Sequence, residues 1–203
     1  NLRIISFLFL PLLSFIVLIF FGKKINAKSH TLALALIGIM LINAIMFFAQ
    51  SFDSLPLNYQ NHFNWFSTGS FAIDLGYLLD NISAIMLLVV SLISFLVHLY
   101  SIEYMKGDIR YSRYFAYLGI FTFSMNGIVL ADSLIMMYVF WELVGFSSYL
   151  LIGFWFEKHS AAQASKKAFL FNRVGDIGMF IGIMILFFSV GSFNINDIIE
   201  GVG

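Results

Sequence analysis

The sequence predicts an all-α polytopic membrane protein with about six transmembrane helices. Of its 203 residues, 61% are hydrophobic and only 11% are charged, whereas soluble domains carry about 25% charged residues. A single soluble core of this size could not bury so much apolar surface, so lipid must cover much of it. The apolar residues form unbroken runs of the roughly 20 residues that cross a bilayer, and not the alternating segments of about ten residues typical of a β-barrel.

Polar breaks divide the apolar residues into six runs. The first run ends before a basic break that begins at Lys23. The second run ends before the longest break, 51–79, whose apolar stretch Trp65–Leu75 is too short to span a bilayer; we interpret this break as an outer surface loop or a short hairpin. Asp80 and Asp132 precede the third and fifth runs and are expected to be helix N-caps. The predicted spans are about 2–21, 31–50, 80–101, 112–130, 133–154 and 167–190.

Basic residues predict the orientation of these helices. Ten of the eleven Lys and Arg residues follow helices one, three and five, and only Arg3 falls on the other side. They are Lys23, Lys24, Lys28, Lys106, Arg110, Arg113, Lys158, Lys166, Lys167 and Arg173. Because basic loops stay on the inner side of a membrane, both ends of the chain are expected on the outer side. The chain starts at Asn1 and not at Met, and we expect it to be part of a longer protein.

The composition excludes several classes of function. The formal net charge is zero, so the chain lacks the basic surface that nucleic-acid binding requires. It contains no cysteine, which excludes disulfides, thiolate nucleophiles and cysteine-ligated zinc or iron–sulfur sites. Its four histidines are scattered and form no pair with metal-ligand spacing. No nucleotide-binding glycine motif occurs, so a dinucleotide would bind elsewhere.

Glu142 is the most informative residue, because it lies in the middle of the fifth apolar run. A charged residue at that depth costs about 2.5–3.5 kcal/mol on insertion scales, and such residues typically hold or pass a proton or an ion. Tyr138, Gly145 and Tyr149 fall within about 60° of Glu142 on a helix. We therefore expect a polar, partly open niche in which two phenols can donate hydrogen bonds.

The sixth helix carries a charged stripe and a glycine stripe on opposite sides. Arg173 and Asp176, with Lys166, form the charged stripe, and their i, i+3 spacing predicts an ion pair. Gly175, Gly178 and Gly182 form the other stripe, which favours close packing against a neighbouring helix.

Structural interpretations stay open beside the functional ones. Arg173 and Asp176 are also consistent with a static pair that holds helix six in place, and Lys166 and Lys167 with positive charges that only set the topology. His98 lies near the inner end of helix three, where a hydrogen-bonded interfacial histidine is an alternative to a member of a proton path. For the whole chain, the structural interpretation is a membrane scaffold whose buried charges only specify helix packing.

Several strings resemble a known family. They are LDNISAIMLLVVSLISFLVHLYSIEYM, YMKGDIRYSRYFAYLGIFTFSM, VLADSLIMMYVFWELVGFSSYLLIGFW and KKAFLFNRVGDIG. They resemble the N-terminal part of the largest antiporter-like membrane subunit, the chain-L type, of respiratory complex I. The resemblance covers most of the chain from about residue 65, and it rests chiefly on the W-E-L-V-G and N-R-V-G-D strings with their spacing.

The resemblance implies roles for individual residues. It assigns Glu142 to the helix-five glutamate of a proton channel, Arg173 and Asp176 to the charged positions of the N-R-V-G-D string, and Lys167 to the lysine that opens helix six. Tyr138, Tyr149, Lys166 and His98 are supporting candidates. In the family the helix-five glutamate pairs with a lysine on helix seven, which lies beyond these residues. Residues 1–130 are then an N-terminal region of four helices, and 131–203 the start of the proton-translocating core.

The same resemblance implies a function and its surroundings. The expected function is proton translocation coupled to electron transfer from NADH to quinone, in a bacterial inner membrane or an equivalent energy-transducing membrane. This chain would bind no cofactor, and NADH, FMN, iron–sulfur clusters and quinone would bind other subunits. The expected partners are other membrane subunits, especially a neighbouring antiporter-like subunit, together with the lipid bilayer. A subunit of a multisubunit Na⁺/H⁺ antiporter or of an inorganic-carbon uptake complex is the alternative.

Overall fold

Long antiparallel helices and one β-hairpin make up the computed structural model, which describes residues 2–25, 28–52, 57–68 and 71–202. In chain order the elements are α1 (Leu2–Ile25), α2 (Ser29–Gln50), β1 (Asn58–Thr68), β2 (Phe71–Asp80), α3 (Asn81–Tyr104), α4 (Tyr111–Leu130), α5 (Leu134–Ile152), α6 (His159–Val190) and α7 (Ile195–Val202). The first six helices correspond to the six predicted spans. The short α7 follows the left-handed glycine Gly191, which ends α6.

The break between α2 and α3 is a hairpin, as one of the two interpretations of that segment predicted. β1 and β2 pair antiparallel, from Asn58 opposite Asp80 to Thr68 opposite Phe71. Residues 53–56, 69 and 70, which include Asp53, Pro56 and Gly69, lie outside the described residues. The hairpin therefore lies at the end of the bundle where α2 ends and α3 begins.

The start of α6 was predicted about eight residues too late, because the segment from His159 to Lys167 is polar but helical. Its alanines, glutamine and lysines are good helix formers, so polarity there does not indicate a loop. At 1.5 Å per residue the 32 residues of α6 extend about 48 Å. A bilayer's hydrocarbon core is about 30 Å thick, so α6 is long enough to project beyond it.

Among the described residues, five helices are long and apolar enough to cross a membrane: α1, α2, α3, α5 and α6. The remaining long helix, α4, is more polar but lies in the centre, in contact with α1, α2, α3 and α5. Four of its polar side chains, Ser112, Thr122, Ser124 and Asn126, are buried; Asn126, for example, donates from Nδ2 to the carbonyl oxygen of Phe7 at 2.8 Å and contacts the sulfur of Met40 at 3.1 Å. Protein and not lipid surrounds α4, which accounts for its composition.

All basic residues except Arg3 and Arg173 gather at one end of the bundle, which we call the basic end: the C-terminal ends of α1, α3 and α5 and the N-terminal ends of α2, α4 and α6. Polar contacts tie this end together. The hydroxyl of Ser112 donates to the carbonyl oxygen of Gly22 at 2.9 Å and lies 2.7 Å from the hydroxyl of Ser29. Trp155 donates from Nε1 to Asp108 Oδ2 at 3.0 Å. The predicted clustering of basic residues on one side is therefore present in the fold.

The helix caps agree with prediction at one position and differ at another. Asp80 Oδ1 accepts a hydrogen bond from the backbone N–H of Ser83 at 2.7 Å and caps α3 as predicted. At α5 the prediction was wrong, because Ser133 and not Asp132 is the cap, its hydroxyl accepting from the N–H of Met136 at 3.3 Å. Asp132 is one residue too early, since α5 begins at Leu134.

Gly119 permits the close approach of α1 and α4. A Cβ atom at this position would lie 3.1 Å from the carbonyl oxygen of Pro11 and 3.2 Å from the backbone nitrogen of Phe15. We expect Gly119→Val to destabilise the chain by about 1–3 kcal/mol, the usual cost of overpacking, measured as a lower thermal unfolding temperature of the purified chain in detergent. Gly178→Val is the matched control, because a Cβ at Gly178 meets nothing within 4 Å. Equal losses in the two variants would show that the valine, and not the helix approach, is responsible.

Candidate functional site

α5 and α6 pack against each other in antiparallel register. Facing positions recur every three or four residues on both helices, the spacing of a single helix face. From the hairpin end to the basic end, the facing pairs are Tyr138 with Phe180, Trp141 with Asp176, Gly145 with Asn172, Tyr149 with Phe169 and Gly153 with Ser165. The connection between the helices consists of residues 153–158.

Three charged side chains meet near the middle of this interface, and we call them the charge cluster: Glu142, Arg173 and Asp176. Arg173 Nη1 donates to Glu142 Oε2, and the same atom lies 3.8 Å from Asp176 Oδ2. Trp141 Nε1 donates to Asp176 Oδ1 at 3.0 Å. The side chain of Asp176 is 6% exposed, that of Glu142 21% and that of Arg173 36%. A single guanidinium therefore serves two carboxylates.

The formal charge of the charge cluster is −1 when all three groups are ionised. Carboxylates that leave water require a cation or hydrogen-bond donors. Arg173 supplies the cation, the indole of Trp141 supplies one donor to Asp176, and the ring of Phe169 lies 4.6 Å from the centre of the guanidinium. One additional proton would make the group neutral. The arrangement can thus hold or release one proton without creating a second unpaired charge at this depth.

The structure modifies the predicted niche around Glu142. The phenol rings of Tyr138 and Tyr149 pack against Phe180 and Phe169, at ring-centre distances of 5.5 and 5.4 Å. Among the described residues, neither hydroxyl bonds to Glu142. The space that Gly145 leaves faces the side-chain amide of Asn172, 3.7 Å from where a Cβ would lie. The niche is therefore occupied by side chains of α6, and the prediction of phenol donors to Glu142 was wrong.

The other predicted site residues lie outside the charge cluster. Lys167 is exposed, with its Nζ 5.8 Å from the ring centre of Phe171. Lys166 lines a cavity at the basic end that Tyr149 also lines. His98 is only 1% exposed on α3, where its Nδ1 lies 2.8 Å from the carbonyl oxygen of Ser94. It is hydrogen-bonded, as one interpretation predicted, and it is buried among the helices.

Of the two stripes of α6, only the charged one faces another helix within the described residues. The charged stripe packs on α5, whereas Cβ atoms at Gly175, Gly178 and Gly182 would meet nothing within 4 Å. The glycine stripe therefore has no packing partner within the described residues, although a close helix contact was predicted for it. A charged stripe gains more from facing α5 than a glycine stripe does, because α5 carries the complementary carboxylate.

Sequence reasoning missed the pairing of Glu142 with Arg173 and the donor Trp141. Two antiparallel helices joined by a short loop pair residues at roughly equal distances from it, and the predicted spans place residue 179 opposite Glu142. The observed facing pairs, Trp141 with Asp176 and Gly145 with Asn172, instead place the opposite position near residue 175, between Arg173 and Asp176. This difference of about one helical turn separates the predicted register from the one that forms the ion pair.

The α5–α6 register can be tested by cross-linking, because the chain contains no cysteine. We expect the pair Gly145→Cys with Asn172→Cys to react efficiently with a short thiol-specific cross-linker in membranes. Adding Arg173→Leu should reduce the yield several-fold, since it removes the cation that pairs with Glu142 and leaves that carboxylate unpaired between the helices. Mobility on a denaturing gel after proteolysis between the helices reports the cross-link.

The pair Gly145→Cys with Gly178→Cys is the control for this experiment, because Gly178 lies on the open glycine stripe. It should remain unlinked under the same conditions. Efficient linking of the control pair, or an unchanged yield with Arg173→Leu, would contradict the register or the role of Arg173 in holding it.

Two family models match the sequence. Residues 65–115 match the N-terminal part of chain 5 of NADH-ubiquinone oxidoreductase (complex I), and residues 131–202 match the transmembrane family of NADH:quinone oxidoreductase and Mrp antiporter. The second match contains the whole charge cluster.

Curated relatives with similar sequences include NAD(P)H-quinone oxidoreductase subunit 5 of the organellar chromatophore of Paulinella chromatophora, which is 46% identical over 87% of this chain. The chloroplastic subunit 5 of Anthoceros angustus is 40% identical over 94% of the chain, and chain 5 of Synechocystis is 40% identical over 90%. In each case the chain spans 27% of the relative's length.

A solved structure supports the fold. A chain in the membrane-bound sulfane sulfur reductase, an archaeal respiratory membrane complex, superposes on 98% of this chain and 39% of its own length with a TM-score of 0.82. The sequence identity is 16%, so this likeness concerns the fold alone.

Proposed function

The chain belongs to the antiporter-like family of chain 5 of NADH:quinone oxidoreductase, and on that basis we propose that it is a membrane subunit that takes part in proton translocation coupled to quinone reduction. The charge cluster is the observation that carries this proposal. Glu142 lies near the middle of the 19-residue α5 and shares one guanidinium with Asp176. Ionisable residues at membrane depth, paired with one another, are typical of proton relays.

In the proposed mechanism, Arg173 decides which carboxylate remains ionised. While its guanidinium bonds to Glu142, that carboxylate keeps its charge. A small displacement of the same guanidinium towards Asp176, 3.8 Å away, would leave Glu142 without its cation. Glu142 would then take up a proton, because an unpaired charge at this depth is costly. The return of Arg173 would release that proton.

Partners beyond the described residues would complete the relay. The resemblance implies a lysine on a later helix that also pairs with Glu142, and its approach would compete with Arg173 for the same carboxylate. The open glycine stripe of α6 is a suitable surface for such a helix, because nothing lies within 4 Å of the Cβ positions there. NADH, FMN, iron–sulfur clusters and quinone would bind other subunits, consistent with the absence of cysteine from this sequence.

We further propose that the basic end faces the inner side of an energy-transducing membrane. Nine of the eleven basic residues lie at that end and support this orientation, whereas Arg173 belongs to the charge cluster and Arg3 lies at the other end of α1. The hairpin and α7 would then lie on the outer side, where Asn196 Nδ2 donates to Gln60 Oε1 at 3.2 Å.

Glu142→Gln in the assembled complex tests the proposal. Glutamine keeps the size of the side chain but cannot bind and release a proton. General acid–base groups contribute about 10²–10⁴-fold to proton-transfer rates, so turnover through this site should fall by about a hundredfold. The measurement is acidification of the lumen of proteoliposomes per quinone reduced.

Glu103→Gln is the matched control, because Glu103 is 78% exposed at the basic end, where it pairs with the exposed Lys106. It should leave the proton-to-quinone ratio unchanged. Unaltered pumping by assembled Glu142→Gln complex would remove Glu142 from the mechanism and favour the packing interpretation of its charge. Ion movement that follows a Na⁺ gradient without quinone reduction would favour the antiporter alternative.

A further inference from the structure

Two cavities adjoin each other at the basic end and share Arg110 and Arg113. The first, of about 310 Å³, lies among the N-terminal ends of α4 and α6 and the C-terminal end of α5. The second, of about 350 Å³, lies between the C-terminal end of α1 and the N-terminal end of α4. Neither cavity belongs to the charge cluster, although Tyr149 of the first lies on the same face of α5 as Glu142.

Positive charge predominates in both cavities. Arg110 is already paired, since its Nη2 donates to both carboxylate oxygens of Glu157 at 2.7 and 2.8 Å, and this contact lowers the pKa of Glu157. Arg113 and Lys166 in the first cavity and Lys23 in the second have no ion pair among the described residues. No carboxylate lines either cavity within that part of the chain. The unbalanced cations therefore favour an anionic ligand.

The walls of the first cavity combine polar and apolar groups. The hydroxyl-bearing residues Tyr117 and Tyr149 line it together with the apolar side chains of Leu150 and Phe154. At Gly153 the two helices come close, because a Cβ there would lie 3.0 Å from the hydroxyl of Ser165. Cations beside an apolar wall at the ends of transmembrane helices match a lipid headgroup together with the start of its acyl chains.

We propose that these cavities bind the phosphate group of an anionic phospholipid, with Arg113 and Lys166 as its charged ligands. Both side chains line the first cavity and can donate charge-assisted hydrogen bonds to phosphate oxygens. Arg110, held by Glu157 and 4.7 Å from the ring centre of Phe156, positions the wall that the two cavities share. The position at the ends of the helices favours a membrane lipid over a soluble anion, because phospholipid headgroups lie at that depth.

The test uses the assembled complex, delipidated in detergent and titrated with phosphatidylglycerol, phosphatidylcholine or inorganic phosphate. Native mass spectrometry counts the bound lipid, and the change in thermal unfolding temperature gives the apparent Kd. Phosphatidylglycerol should bind to the wild-type protein at least about tenfold more tightly than phosphatidylcholine. Arg113→Gln and Lys166→Gln should each weaken the binding of phosphatidylglycerol by about tenfold, which corresponds to about 1.4 kcal/mol.

Lys106→Gln is the control, because Lys106 lies at the same end but lines neither cavity. The affinity of this variant for phosphatidylglycerol should equal that of the wild type. Arg113→Lys should retain most of the affinity, which separates loss of charge from misfolding. Equal affinities for the two lipids, or wild-type affinity in the Arg113→Gln and Lys166→Gln double variant, would overturn the proposal. Inorganic phosphate that displaces the lipid at comparable concentration would identify a soluble-anion site instead.

Discussion

The ion pair between Arg173 and Glu142 is the interaction on which the functional half of this structure depends. It joins α6 to α5 at membrane depth, where an unpaired charge is costly. It also determines which face of α6 meets α5, so Asp176 is buried beside Trp141 and the glycine stripe is left open. The neighbouring contacts, from Tyr138 on Phe180 to Gly153 beside Ser165, follow the same register.

The bundle uses polarity differently in its two halves. In α4 the buried polar side chains are neutral and bond to neighbouring helices, as Nδ2 of Asn126 and the hydroxyl of Ser112 illustrate. They fix the packing of α1, α2 and α4 without introducing a titratable group. In α5 and α6 the polar groups that meet at the interface include titratable side chains, with two carboxylates near one guanidinium. Because only the second arrangement can gain or lose a proton, the family relationship and the geometry support the same location for the proposed relay.

Several features followed from the sequence because they depend on local chemistry. The apolar runs predicted six helices, a two-stranded hairpin was one of the two interpretations of the 51–79 break, and the basic residues predicted which helix ends lie together. The start of α6 did not follow, since alanine- and lysine-rich polar segments form helices as readily as loops. The predicted N-cap of α5 was one residue too early for a similar reason, because Asp132 and Ser133 are both good capping residues. The described residues do not test the roles of Lys167 and His98 in proton transfer.

By itself the sequence determined that this is a multi-helix membrane protein with a carboxylate in mid-membrane, and that its helix six carries opposite charged and glycine stripes. These properties depend on composition and periodicity, which any helix inherits from its residues. Only the tertiary structure decided that Arg173 pairs with Glu142 and that the glycine stripe stays open. Those outcomes depend on the register between two helices, which one residue of shift rotates by about 100°. That register is set by the side chains that meet between the two helices, the pair of Arg173 with Glu142 among them.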